Sequence, residues 1–414
     1  MTDQCEYVTL SAGDTSLVLA CAIGARASIL YWGARLDTTD PDTIRAMTVR
    51  QHAPGSPDQE IESSLLNETG SGMAGFSGFA AHRNGTAWAN LFRVSKVLRR
   101  DPHHVEIVCE DAATKIRATH LIGFDVESGL MTCETQIENL GDTPLAIESC
   151  ASIVLPLDAR ATRLFGFTGR WSGEFHLEEV PPFLGSYVRE NKAGRTSHDN
   201  FPGIVIGADE TRERSGPCFA FHLGWSGNNR VRVDRLSDGR SFVQMGEYFF
   251  PGEVSLAPGE TYQTPRLYVG YSGSGFSALS RKFHHYLKQT VMDGRIARKA
   301  RPIHYNTWEA VYFDHDHDTL FELAEAAAEV GAERYILDDG WFGSRRNDKA
   351  GLGDWWPSEH VYPDGLGPLV EHVTGLGMEF GLWFEPEMVN PDSELYRRHP
   401  DWVPQAEGVE QISA

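Results

Sequence analysis

The sequence lacks any apolar run near the roughly 18 residues that a membrane helix needs. The longest, Ser16 to Ala25, is little more than a strand. Cysteine is sparse: Cys5, Cys21, Cys109, Cys133, Cys150 and Cys218 in 414 residues. No two of these form a C-x-x-C pair, so neither a zinc site nor a redox motif is indicated, and no metal is expected. They sit in apolar stretches, where a thiol behaves as a small buried hydrophobe. Reduced, buried cysteines in a cytoplasmic protein are the expectation. Met1 to Glu6 carries two acids and no Lys or Arg, unlike the basic start of a signal peptide. Positive charge is also short, with 37 Lys and Arg against 58 Asp and Glu, a net charge of −21. Nucleic acid and anionic lipid are polyanions and would be repelled. Neutral small molecules, cations and proteins remain as partners.

What is present is ordinary in bulk, with 41% apolar and 23% charged residues. Aromatics are richer, at 11% with 10 Trp, and there are 41 Gly. At about 150 residues per domain the length suggests two or three domains.

The pattern changes along the chain. Residues 1–274 read as many short strands. Val105–Cys109 and Met131–Glu138 nearly alternate, and Leu145–Leu157, Cys218–Leu223 and Arg266–Val269 also suit strands. Turn signals separate them: Asn84-Gly85, Asn139-Leu140-Gly141-Asp142, Ser237-Asp238-Gly239 and Ala257-Pro258-Gly259. Short strands with this punctuation indicate a β-sandwich. Residues 275–301 read as a helical linker. Phe276, Leu279, Phe283, Tyr286 and Leu287 recur at helical spacing, followed by a basic stretch closed by Pro302. Residues 302–414 alternate strand and helix. Ile303–Trp308, Arg334–Asp339 and Glu379–Phe384 read as strands. Thr319–Val330, Leu369–Leu376 and Ser393–Arg398 read as helices. A βαβαβα repeat implies parallel strands with right-handed crossovers. No Gly-rich phosphate turn divides it, which favours a barrel over a doubly wound sheet. The fold class is therefore multidomain β plus α/β.

Each of the three strands ends in polar and aromatic residues. The ends read Asn306-Thr307-Trp308-Glu309, Asp338-Asp339-Gly340-Trp341 and Trp383-Phe384-Glu385-Pro386-Glu387. In (β/α)₈ enzymes the carboxyl ends of the strands form the active site. Trp offers a flat apolar face to a sugar ring, and carboxylates accept hydrogen bonds from hydroxyl groups, so the combination suits a carbohydrate. Against this, one acid of the Asp338–Asp339 pair has an ordinary alternative in a helix cap or an Arg. Trp308 and Trp383 have one in core packing. One of Glu385 and Glu387 is expected to pair with a buried Arg or Lys. The roughly 25-residue loop after Asp339 is long for a βα connection.

These ends, with Leu352-Gly353-Asp354-Trp355 and Gly381 to Val389, resemble the microbial α-galactosidases of glycoside hydrolase family 36. Gly169-Arg170-Trp171 with Glu174, Gly194 to His198, and Gly224 to Asn228 extend the resemblance into the family's N-terminal β-supersandwich. The resemblance implies a retaining hydrolase of terminal α-galactosides such as melibiose and raffinose, without a cofactor. Asp338 and Asp339 would hold the galactose 4- and 6-hydroxyls, and Trp308 and Trp383 would line the pocket. Trp171 would reach the site from the sandwich, in tetrameric members from a neighbouring subunit. The Gly-rich stretch Asn67 to Gly75 departs from the acidic, aromatic loop of many tetrameric members, so a homo-oligomer is not assured. Retaining glycosidases need two carboxyl groups about 5–5.5 Å apart. In the family the nucleophile is the Asp of a Lys-Trp-Asp motif, and the acid/base Asp follows a Cys-Ser-Gly-Gly-Gly-like segment. Neither motif occurs in the 414 residues, so no catalytic residue is carried over and the isolated chain is expected to be inactive. The three βα units read as the first part of an incomplete (β/α)₈ barrel in a fragment of a longer protein. Two other readings stay open: a non-catalytic galactose-binding module and a related α-N-acetylgalactosaminidase.

Three signals carry less. Gly70 to Gly75 matches G-x-G-x-x-G without a preceding apolar strand. Asp314-His315-Asp316-His317-Asp318 resembles a metal-binding run, but acids before a helix favour its N-terminus. The pairs His103-His104 and His284-His285 lack a third ligand.

Overall fold

The computed structural model describes residues 7–37, 40–48, 62–403 and 408. Cys5 and the segment Met1 to Glu6 lie outside the described residues. The chain forms two compact units that divide between Ala297 and Arg298.

The first unit is built from antiparallel strands among the described residues. Period-two alternation makes them two-faced. In Met131–Asn139 the odd positions Met131, Cys133, Thr135, Ile137 and Asn139 are buried, while the polar residues between them face outward. A ten-stranded sheet centres on this strand, which pairs with Ile116–Phe124 on one side and Leu267–Ser272 on the other. A six-stranded sheet centres on Leu145–Pro156, Ser241–Glu247 and Asn229–Arg235. Inward side chains of both sheets, Ile107, Cys133 and Phe221 from one and Ile153, Val231 and Val243 from the other, join one apolar cluster. Burying each large apolar side chain contributes about 1.5–3 kcal/mol. The β-sandwich expected from the sequence is thus present. Asn139 organises one predicted turn: its side-chain amide donates to the carbonyls of Thr143 and Leu256 at 2.9 Å, and its Oδ1 accepts from Gly141 N–H at 2.9 Å. The stretch Gly70 to Gly75 opens on the short 3-10 turn Thr69–Ser71 instead of joining a strand to a helix. A Cβ at Gly70 would lie 2.5 Å from the Asn90 carbonyl oxygen, so glycine is needed there for close backbone approach.

The helix Phe276–Tyr286, followed by a π-turn over Leu287–Val291, packs on the larger sheet. Leu279 and Phe283 cover Gly270, where a Cβ would meet them at 2.8 and 2.9 Å. Five described cysteines, Cys21, Cys109, Cys133, Cys150 and Cys218, are buried. No described helix is long and apolar enough to cross a membrane.

The second unit holds three parallel strands, His304–Asn306, Arg334–Leu337 and Glu379–Leu382, in that spatial order. Helices His317–Glu329 and Gly367–Gly375 cross between them. Leu320, Ala324 and Ala327 form the buried stripe of the first helix at helical spacing. Asp316 caps it, Oδ1 accepting from Thr319 N–H at 3.0 Å. The strands are shorter than their apolar runs suggested. Asn306 Oδ1 accepts the Trp308 N–H at 2.8 Å, which turns the chain into the short helix Trp308–Val311.

Candidate functional site

The carboxyl ends of the three parallel strands bring Trp308, Asp338, Asp339 and Trp383 into one unit. Asp338 and Asp339 follow the central strand, and the outer strands supply their neighbours. On one side the Asp338 N–H donates to Thr307 Oγ1 at 3.0 Å, and the Asn306 amide donates to Asp338 Oδ2. On the other side Trp383 N–H donates to the Leu337 carbonyl at 3.0 Å, the last bond of the parallel ladder.

Both carboxylates are nearly enclosed, Asp338 at 8% and Asp339 at 5% exposure. Adjacent buried anions repel, so each needs donors. Asp338 Oδ1 accepts the Asp339 N–H at 2.7 Å. Asp339 is gripped by Arg345, Nε to Oδ1 at 2.9 Å and Nη2 to Oδ2 at 2.8 Å. Arg345 is itself 5% exposed. The alternative weighed for the acid pair, an Arg partner, is therefore realised at Asp339. Such a fork fixes the carboxylate plane as well as its charge.

Gly340 follows at φ +107°, and a Cβ there would lie 3.2 Å from His315 Nε2 and from Phe313 Cα. His315 is buried and shares a 2.8 Å hydrogen bond between Nδ1 and the Tyr362 hydroxyl. Burial, reinforced by the Arg346 charge, holds its pKa below the usual histidine value, which keeps the ring neutral near pH 7. Asp316 caps its helix and His317 packs edge-on to Phe321 and Tyr362. The acid–histidine run thus serves the fold, and no group of three or more metal-binding side chains forms among the described residues.

The long loop after Asp339 is tied down rather than free. Gly343 N–H donates to the Trp356 carbonyl at 2.8 Å. Leu352 and Asn390 exchange hydrogen bonds, Leu352 N–H to Asn390 Oδ1 at 3.0 Å and Asn390 N–H to the Leu352 carbonyl at 3.1 Å. Asp354 accepts the N–H groups of Glu394 and Leu395, each at 3.0 Å, and so caps the helix Glu394–Arg398. Within the loop, Trp341, Phe342 and Trp355 pack with Trp383 and Phe384; Trp341 Nε1–H donates to the Trp383 carbonyl at 3.0 Å. Trp308 is half-buried, edge-on to Tyr312 and Phe313 at 5.1 Å each. Glu385 is half-buried and Glu387 exposed.

Trp171 belongs to the first unit. It sits at the turn between strands Arg163–Arg170 and Gly173–Val180 and is 82% exposed. Sequence reasoning passed over Arg345 and Asn390 and met Trp355 only as part of a motif. The available signal was a pair of arginines, Arg345-Arg346, close behind two acids.

An antiparallel β unit followed by parallel βα units, with carboxylates and indoles at the strand ends, defines a multidomain protein of the β plus α/β class. Residues 26–257 match the glycosyl hydrolase family 36 N-terminal domain, and residues 261–414 match the melibiase family. The chain belongs to glycosyl hydrolase family 36. It is similar to the α-galactosidase of Escherichia coli, 37% identical over 406 residues, covering 98% of this chain and 56% of that protein. It is similar to α-galactosidase AgaA of Geobacillus stearothermophilus, 34% identical over 314 residues, covering 74% of this chain and 43% of that protein. A crystal structure of an AgaA variant with 1-deoxygalactonojirimycin superimposes with a TM-score of 0.90 at 27% identity, covering 99% of this chain and 60% of that one. A second AgaA variant, in complex with raffinose, gives 0.89 at 27% identity, covering 99% and 60%. The chain spans about half the length of the curated relatives it matches.

Proposed function

We propose that this chain carries the galactose-recognition part of an α-galactosidase that hydrolyses terminal α-galactosides, such as melibiose and raffinose, with retention. The observation that carries the reading is the Asp338–Asp339 pair at the end of the central parallel strand, flanked by Trp308 and Trp383 from the strands on either side. Asp338 and Asp339 accept hydrogen bonds from the 4- and 6-hydroxyls, because each carboxylate keeps at least one oxygen with a lone pair beyond those its protein partners use. The two indoles supply apolar faces for the ring. The three parallel strands are read as the first three of a (β/α)₈ barrel. The relatives named α-galactosidase, and the raffinose complex of one of them, support the substrate class.

The 414 residues contain neither Lys-Trp-Asp nor a Cys-Ser-Gly-Gly-Gly-like segment. In this reading the isolated chain binds galactose and does not cleave the glycosidic bond. Calorimetric titration with galactose and with N-acetylgalactosamine, beside an assay with a chromogenic α-galactoside, tests it. Heat with galactose, abolished by Asp338→Asn, and no turnover are expected. Absence of galactose heat at millimolar sugar overturns the recognition role, and turnover that survives controls for host enzyme overturns the inactivity.

A further inference from the structure

We infer that Arg345 and Asn390 form a brace that presets the Asp339 carboxylate for its sugar hydroxyl, an inference that rests on the galactose-recognition reading above. A lone Asp side chain at a strand end turns about its side-chain torsions, and each hydroxyl it binds must first stop that motion. Here the guanidinium fork removes the freedom beforehand. Arg345 Nε and Nη2 take one lone pair on each Asp339 oxygen, at 2.9 and 2.8 Å. Nε also reaches Oδ2 at 3.2 Å, so it is Oδ1 that keeps a second lone pair for a hydroxyl.

The third arm of the guanidinium makes the brace. Arg345 Nη1 donates to Asn390 Oδ1 at 3.0 Å. That same oxygen accepts the Leu352 N–H at 3.0 Å, and the Asn390 N–H returns to the Leu352 carbonyl at 3.1 Å. The Asn390 amide also donates to the Asp348 carbonyl at 3.3 Å. Asn390 is therefore held by backbone on the long loop, while it follows the third strand in sequence. The chain of contacts runs from the end of the central strand, through Arg345, to the segment beyond Trp383. The Arg345 guanidinium also lies 5.3 Å from the Phe313 ring centre, in the segment that follows Trp308. One side chain thus references Asp339 to the ends of both flanking strands. Lysine has a single ammonium on a flexible stem and cannot grip both oxygens and Asn390 at once. Arg345 and Asn390 are positioning residues, acting on the sugar through Asp339.

The test is calorimetric titration of the full 414-residue chain with galactose, with far-ultraviolet circular dichroism and thermal unfolding as controls for folding. Arg345→Lys and Arg345→Met are expected to weaken galactose binding by about 10²-fold, the scale of an ångström-sized misplacement. Asn390→Ala leaves the ion pair in place and is expected to cost about tenfold, with unchanged dichroism. Arg345→Ala is expected to recover binding in low-millimolar methylguanidinium, which refills the fork; a purely structural loss shows no such rescue. Should the Arg345 variants fail to fold, Asn390→Ala carries the test. Wild-type binding together with undiminished binding by Asn390→Ala and Arg345→Lys overturns the brace alone. A wild-type chain that takes no galactose overturns the recognition reading, and the brace with it.

Discussion

Replacing Asp354 by alanine will release the helix Glu394–Arg398 from the long loop. Asp354 is 1% exposed, and its two oxygens accept the N–H groups of Glu394 and Leu395 at 3.0 Å each. Hydrogen bonds to a charged group contribute about 1.5–3 kcal/mol each. Alanine removes both acceptors but opens room for water to reach the freed amides, so the lower end applies and the sum is about 3 kcal/mol. Ser393 remains as a second cap, its Oγ accepting Tyr396 N–H at 3.0 Å, so the loss is local. Native-state hydrogen exchange reads such local opening. Protection of the Glu394 and Leu395 amides should fall by about 10²-fold in Asp354→Ala, since about 1.4 kcal/mol is tenfold. Asp354→Asn keeps one acceptor and turns a donor toward the other amide, so it should lie between the two. Equal protection in wild type and Asp354→Ala would refute the reasoning, because it would mean that the cap contributes nothing to holding this segment.

Three other outcomes follow from the structure. His120 is buried against Thr135 Oγ1 at 2.9 Å, and burial pushes its pKa down to about 3. Below the ordinary value of about 6.5 the unfolded chain takes up a proton that the folded chain refuses, so stability falls with pH by up to about 1.4 kcal/mol per unit. Urea unfolding at pH 7, 5.5 and 4 should show a shallower dependence in His120→Gln, and identical slopes would count against it. Gly340→Ala forces a side chain into φ +107° against His315 and Phe313. It should cost about 1–3 kcal/mol, seen as a lower thermal midpoint, and an unchanged midpoint would contradict the steric argument. Burial raises the thiol pKa of Cys109, Cys133 and Cys150, and pushes that of Cys218 up to about 12. Alkylation at pH 8 followed by peptide mass spectrometry should find these four unmodified in native protein and labelled in urea; rapid native labelling would show that they are accessible.

The strands of the sandwich were legible wherever one face met the core. Cys218–Leu223 coincides with its predicted range, and Met131–Asn139 extends the prediction by one residue. The boundaries of the parallel strands were less so. Apolar runs such as Glu379–Phe384 do not mark the point where ladder pairing stops, and pairing there ends at Leu382. At the candidate site, Asp338, Asp339, Trp308 and Trp383 were found by their places at strand ends. Arg345 and Asn390 were not, because neither belongs to a periodic pattern and they lie 45 positions apart. Asp354 was visible as part of a motif, yet its work as a cap for a helix 40 residues further on was not.

The sequence by itself determined the change from period two to alternating strand and helix, the family, and the gathering of acids and indoles at strand ends. Side-chain direction follows local backbone geometry, so those features need only neighbouring residues. Only the tertiary structure decided how the two acids are held: Asp338 by Asn306, and Asp339 by an arginine anchored to Asn390. Partners of buried charges are chosen by distance in space, and that distance exists only once the strands lie side by side.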